Sequence, residues 1–117
     1  MANVECCEKN AATESLQDYF SDLVDAIQDP VIAASGLFSV KLISWPVVEN
    51  MSTLGLPKSD KNFQLLCAIR RQLAINPSGI ERFIQVLNAK LDLQEIAKRM
   101  EERYQGELVL WYYLTCS

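Results

Sequence analysis

The placement of four prolines constrains this chain more than any other feature. Pro30, Pro46, Pro57 and Pro77 all fall between stretches of periodic apolar residues and never inside one. Proline lacks the N–H that an interior helical position donates, whereas the first turn of a helix has no use for that donor. The prolines therefore read as helix starts and the stretches between them as helices. Asp29-Pro30 and Asn76-Pro77 each read as an N-cap followed by a first helical residue. Ser44 before Trp45-Pro46 is a similar start, Ser59 or Asp60 caps after Pro57, and Asp92 with Glu95 is a capping-box variant.

Apolar spacing between these punctuation marks predicts six helices, with an all-α fold as the result. The first carries Leu16, Phe20, Leu23 and Ile27 at steps of four, three and four. The second runs from Pro30 to about Val40 and the third from about Pro46 to Leu54. The fourth, Ser59 to Ile75, turns Phe63, Leu66, Ile69 and Leu73 inward. The fifth, Pro77 to Lys90, presents Ile80, Phe83, Ile84 and Leu87. The sixth, Leu93 to Tyr104, stops at Gln105-Gly106, because glycine accepts the left-handed conformation past a helix end. Short connections favour antiparallel neighbours in one bundle.

The expected organisation is a flexible N-terminal tail over 1–13, one helical domain over 14–105 and an apolar C-terminal tail over 106–117. Leu108 to Leu114 is an uncharged run of seven residues, too short to span a bilayer. It reads as a tail docked on the domain, with a membrane- or partner-binding segment as the alternative. A mixed fold is the alternative, since Leu37 to Val48 is rich in β-branched and aromatic residues, but such a strand has no partner except that tail. Trp45 and Phe38 border the link from the second to the third helix; core packing is their expected role, and exposed anchoring is the alternative. Cys67 reads as a packing residue at the edge of the fourth helix.

With 117 residues, half of them apolar, the chain fits one domain with a core of its own. It has no histidine, which removes the commonest general base and the commonest zinc ligand. A net charge of −4 has the wrong sign for a duplex nucleic-acid or anionic-membrane binder. No catalytic residue, cofactor, metal site or nucleic-acid partner is expected, and membrane association is not expected either. Cys6, Cys7, Cys67 and Cys116 lack the spread of a disulfide framework, and the first residues lack a signal-peptide core. A cytoplasmic protein with reduced thiols follows as the expectation.

The order of these segments resembles a known family. Leu16 to Ile27 looks like the long first helix of a caspase recruitment domain, a member of the death-fold superfamily. Asp29-Pro30 through Leu37, followed by Leu42-Ile43-Ser44, resembles its second helix and the link to the third. Ser59-Asp60-Lys61 before Leu65-Leu66 is similar to its fourth helix, and Asn76-Pro77 through Leu87 resembles its fifth. The resemblance implies a six-helix antiparallel Greek-key bundle. It also implies a non-enzymatic adaptor or regulator that docks homotypically with other death-fold domains in apoptotic or innate-immune signalling assemblies, with self-association into oligomers or filaments.

Charge supplies candidate docking residues independently of that resemblance. The balance is −6 up to Pro57 and +2 from Lys58 onward. Asp18, Asp22, Asp25 and Asp29 recur at steps of four, three and four, which on one helix makes an acidic stripe opposite the apolar face. Lys58, Lys61, Arg70 and Arg71 supply a basic counterpart around the fourth helix. Arginine suits a carboxylate partner because its fork bonds both oxygens at once. Many caspase recruitment domains carry a basic first helix; this one is acidic, so only the general mode of charge-complementary docking carries over. The alternative reading is an unrelated helical regulatory domain that binds a partner through an interhelical groove or its apolar tail.

Overall fold

Asp29 shows how local chemistry builds this molecule. Its Oδ1 accepts hydrogen bonds from the backbone N–H groups of Val31 (3.0 Å) and Ile32 (3.3 Å), and Pro30 occupies the first helical turn. Two donors that a helix start leaves orphaned are thereby satisfied. In the computed structural model, residues 4–53 and 55–116 are described, with side chains for 11–53 and 55–110. Every regular element among the described residues is helical: α1 (Val4–Asp18), α2 (Phe20–Ala26), α3 (Pro30–Ser39), α4 (Trp45–Met51), α5 (Lys58–Ile75), α6 (Gly79–Ala89) and α7 (Gln94–Cys116).

The all-α class stands, but the expected six-helix Greek-key bundle of the death fold is corrected to seven helices among the described residues. The expected first helix breaks at Tyr19, whose backbone (φ −110°, ψ 11°) leaves the helical region. The break has a packing cause. α1 lies mainly along α7 and α5, whereas α2 lies on α5 alone among its larger contacts beyond α1. One straight rod cannot follow both directions. The chain therefore turns between Leu16 and Leu23, which both stay fully buried. The segment expected as a tail over 1–13 is helical from Val4, and Ala11 and Ala12 are buried in the core.

A second correction concerns the last helix. Gly106 does not stop it, and α7 continues to Cys116. Tyr104 is buried and Leu108 packs against the core on the far side of the glycine, so tertiary contacts carry the helix through. An interior glycine costs a helix about 1 kcal/mol, which such packing outweighs. α7 is thus about 35 Å long at 1.5 Å per residue. No helix among the described residues is long and apolar enough to cross a membrane.

Leu37 to Val48 forms no strand. α3 ends with Lys41 in the left-handed region (φ 65°), Lys41 N–H bonding Phe38 O and Leu42 N–H bonding Leu37 O, both at 3.0 Å. This paired closure reverses the chain and buries Leu42. α6 starts two residues later than expected. Asn76 does not cap it directly; its side chain accepts from Ser78 Oγ (2.7 Å) in a turn that leads into Gly79. A Cβ at that position would lie 2.8 Å from Leu42 Cδ2, so glycine lets the buried Leu42 side chain pack close against the helix start.

α5 is the central rod, touched by every other helix except α7 among the larger contacts. Its buried stripe is Asn62, Leu65, Leu66, Ile69 and Leu73. Asn62 earns its place inside by donating from Nδ2 to Val24 O (2.8 Å) and Ile27 O (2.9 Å), tying the end of α2 to α5. Phe63, expected in the core, is displaced to the surface, 54% exposed, in edge-to-face contact with Phe20.

Candidate functional site

α4 and α5 leave an open seam between them. Two shallow cavities share it, of about 390 Å³ and 190 Å³, and Val47, Ala68 and Arg71 line both. Met51, Phe63 and Cys67 add apolar surface at one end, and Leu42, Ile43 and Ile75 at the other. Ile75 is 76% exposed and Phe63 54%, so the rims as well as the floor are oily. Arg71 is the one charged side chain in the lining of these two cavities. It forms no hydrogen bond or ion pair among the described residues. The seam is therefore a mainly apolar groove, with Asn50, Gln64, Ser44 and Gln72 as neutral polar lining and a single unneutralised cation midway along it. Cys67, a free thiol, is half-buried here and belongs to the groove wall rather than to the core.

The groove owes its openness to short elements. α4 has seven residues and α5 eighteen, so α4 covers only part of its neighbour. Beside it, Phe38 and Trp45 stack edge to face with ring centroids 5.3 Å apart, and both are exposed. Their expected core role is corrected: Trp45 opens a helix and Phe38 lies on the outer side of α3, and the ring pair shelters each from water instead.

The acidic residues do not form one stripe. The break at Tyr19 places Asp18 on α1, Asp22 and Asp25 on α2, and Asp29 at the cap of α3. Asp18 is drawn into a charged cluster on the α1/α7 seam, where Arg103 Nε donates to its Oδ2 at 2.5 Å. Arg103 also pairs with Glu107 and reaches Glu14 at 3.7 Å. The hydrogen bond to Asp18 raises the guanidinium pKa first of all, against a lowering by burial. Glu14 is raised too, by partial burial first and then by the charge of Glu107 and a hydrogen bond with it, against a lowering by Arg103. Asp22 and Asp25 are exposed, with no ion pair among the described residues.

The basic residues are also dispersed. Lys58 opens α5, with Lys61 half-buried one turn on. Arg70 donates to Gln17 Oε1 on α1 at 3.3 Å. Arg71 alone of the four faces the groove. Lys58 and Arg71 stand about 20 Å apart along the helix axis, so they do not make one patch. Asn62 and the Arg103 cluster were missed from the sequence. Asn62 continues the Leu66, Ile69, Leu73 spacing by one turn, which was the available signal. Nothing local announces the partners of Arg103, which come from 85 residues away in the chain as well as from the next turn.

Among the described residues, no three His, Cys, Asp or Glu side chains gather as a metal site requires. No protein-family model matches the chain, and no curated protein or solved structure matches it either.

Proposed function

We propose that the chain is a non-enzymatic docking module whose α4/α5 groove receives the apolar face of a partner helix, with a partner carboxylate meeting Arg71. The observation that carries this reading is the unpaired guanidinium, the one charge in the middle of a mainly apolar groove. Helix-in-groove recognition uses an apolar stripe for affinity and a charge for register. Arg71 supplies the second and the rims at Phe63 and Ile75 extend the first.

The sequence resemblance to caspase recruitment domains adds a class of partner: another small helical signalling domain, engaged homotypically in a cytoplasmic assembly of the apoptotic or innate-immune kind. The exposed Asp22 and Asp25 on α2 give such a partner a second, acidic face to meet.

The test uses a synthetic amphipathic helix with leucines at i, i+3, i+4 and i+7 and a glutamate beside them. Titrated into the isotope-labelled full chain, it shifts amide resonances along α4 and α5, and Arg71→Glu weakens it on the order of tenfold. A lysine in place of the peptide's glutamate restores binding to that variant. Shifts centred on other helices, or an Arg71→Glu chain that binds as before, overturn the reading.

A further inference from the structure

We propose that the groove's occupant is a second copy of this chain, which lays the outer face of its α7 along α4 and α5 and so assembles head to tail. This rests on the docking reading of the groove and names its partner. α7 carries one exposed stripe, in which Glu102, Gly106, Val109 and Leu110 follow at helical spacing. Val109 is 54% exposed and Leu110 52%, an apolar end that the chain's own fold leaves uncovered. Glu102 lies two turns earlier on the same face, exposed and without an ion pair among the described residues.

Gly106 sits between them, and it points to a partner independently. A Cβ built there meets nothing within 4 Å, so the folded monomer has room for any side chain at this position. A glycine in mid-helix is a cost the isolated chain has no structural reason to carry. It has one if another helix approaches closely over that point, where the missing side chain lets the two axes draw together.

The registers agree. Eight residues separate Glu102 from Leu110 on α7, and eight separate Arg71 from Phe63 on α5, a span of about 12 Å in each helix. With α7 of one copy antiparallel to α5 of the next, Glu102 meets Arg71 when Leu110 reaches Phe63 and the larger cavity. The pair then joins the unneutralised cation of one surface to the unpaired carboxylate of the other. The two surfaces lie on different elements, α7 being packed on α1 and α6 and α4 on α3 and α5. Each copy thus offers both at once, and the contact is heterologous. Unless the rotation closes a ring, it propagates as an open chain.

The experiment is sedimentation velocity of the full chain over a range of concentration and salt. The wild type grows with concentration and loosens as salt is raised, since part of the attraction is a solvent-accessible charge pair. Arg71→Glu and Glu102→Arg each weaken association on the order of tenfold, and the double swap recovers most of that loss. Gly106→Leu and Val109→Asp, at exposed positions where the fold has room, also weaken it while the helical circular dichroism is retained. A wild type that stays monomeric overturns the proposal, as does a double swap no better than its singles, or association unchanged by Gly106→Leu and Val109→Asp. The peptide titration separates the two levels: if the groove still takes the acidic peptide, the docking reading survives with a different partner, and if it does not, both fall.

Discussion

Arg103 and Arg71 occupy two seams of the same bundle in opposite surroundings. Arg103, on the α1/α7 seam, is held by Asp18, Glu107 and Glu14, and nearby Ser15 is fully buried with its hydroxyl donating to Met100 O at 2.7 Å. Arg71, on the α4/α5 seam, shares its cavity with mostly apolar and no acidic side chains, and meets no carboxylate among the described residues. In the first seam the cation is met by carboxylates of the same chain and the buried hydroxyl of Ser15 is paired. The second has an oily floor and an unanswered charge. A bundle of this size needs some seams closed to be stable at all, and a seam left open with one charge in it is free to recognise something else.

The contrast is broken most forcefully from the closed side. Leu16, on α1, is fully buried, and Leu16→Ala should cost about 3 kcal/mol in chemical denaturation. Val47, half-buried on the open seam, should lose under about 1 kcal/mol when cut to alanine. Equal losses would mean that the two seams do not differ in packing. Next in size is Arg103→Met, which leaves three carboxylates gathered without their cation. The guanidinium side chain is 38% exposed, so water screens part of the loss, and about 1–2 kcal/mol is expected. High salt should narrow the gap to wild type by screening the remaining acids.

Gly106→Ala acts in the other direction. It replaces a mid-helix glycine where a Cβ has open space, and should stabilise the monomer by about 0.5–1 kcal/mol. For a chain of this length that is a rise of about 2–4 °C in the melting midpoint by calorimetry. The smallest effect is the pH dependence of Glu14. Its carboxyl holds its proton more tightly in the folded protein than its ordinary value of 4.5. The unfolded chain therefore releases that proton first as pH rises. The contribution to stability is fully present below the ordinary value and is lost as pH climbs through the raised one. Melting curves of Glu14→Gln should lack this downward slope, which a superposition of the two pH profiles would refute.

The start at Asp29 was legible because capping is local: Asp29 and Pro30 sit next to the N–H groups they serve or replace, and the structure shows the same cap, whereas Ser44 makes no capping hydrogen bond and Ser59 and Asp60 lie inside α5. Gly106 was misread for the same reason. Taken locally, glycine after a periodic stretch is a stop, and only Leu108 packing beyond it reverses that. Tyr19 gave no warning, as the 16, 20, 23, 27 spacing is that of an unbroken helix and the bend comes from neighbours distant in sequence. The acidic stripe failed with it, because a face shared by four residues exists only while they belong to one helix. The basic residues were correctly placed on and around one helix, yet sequence could not say that Arg70 turns to Gln17 while Arg71 turns to an open groove.

By itself the sequence determined that the regular elements of this chain are helices, roughly where most of them begin, and that nine of its eleven basic residues lie after Pro57. Those properties follow from periodicity, caps and composition, which act over a few residues. The tertiary structure alone decided the count of seven helices, the reach of α7 past its glycine, and which charges are spent inside the fold and which remain outside it. Each of those depends on which helix lies against which, and that is settled by burial of apolar surface between segments far apart in the chain.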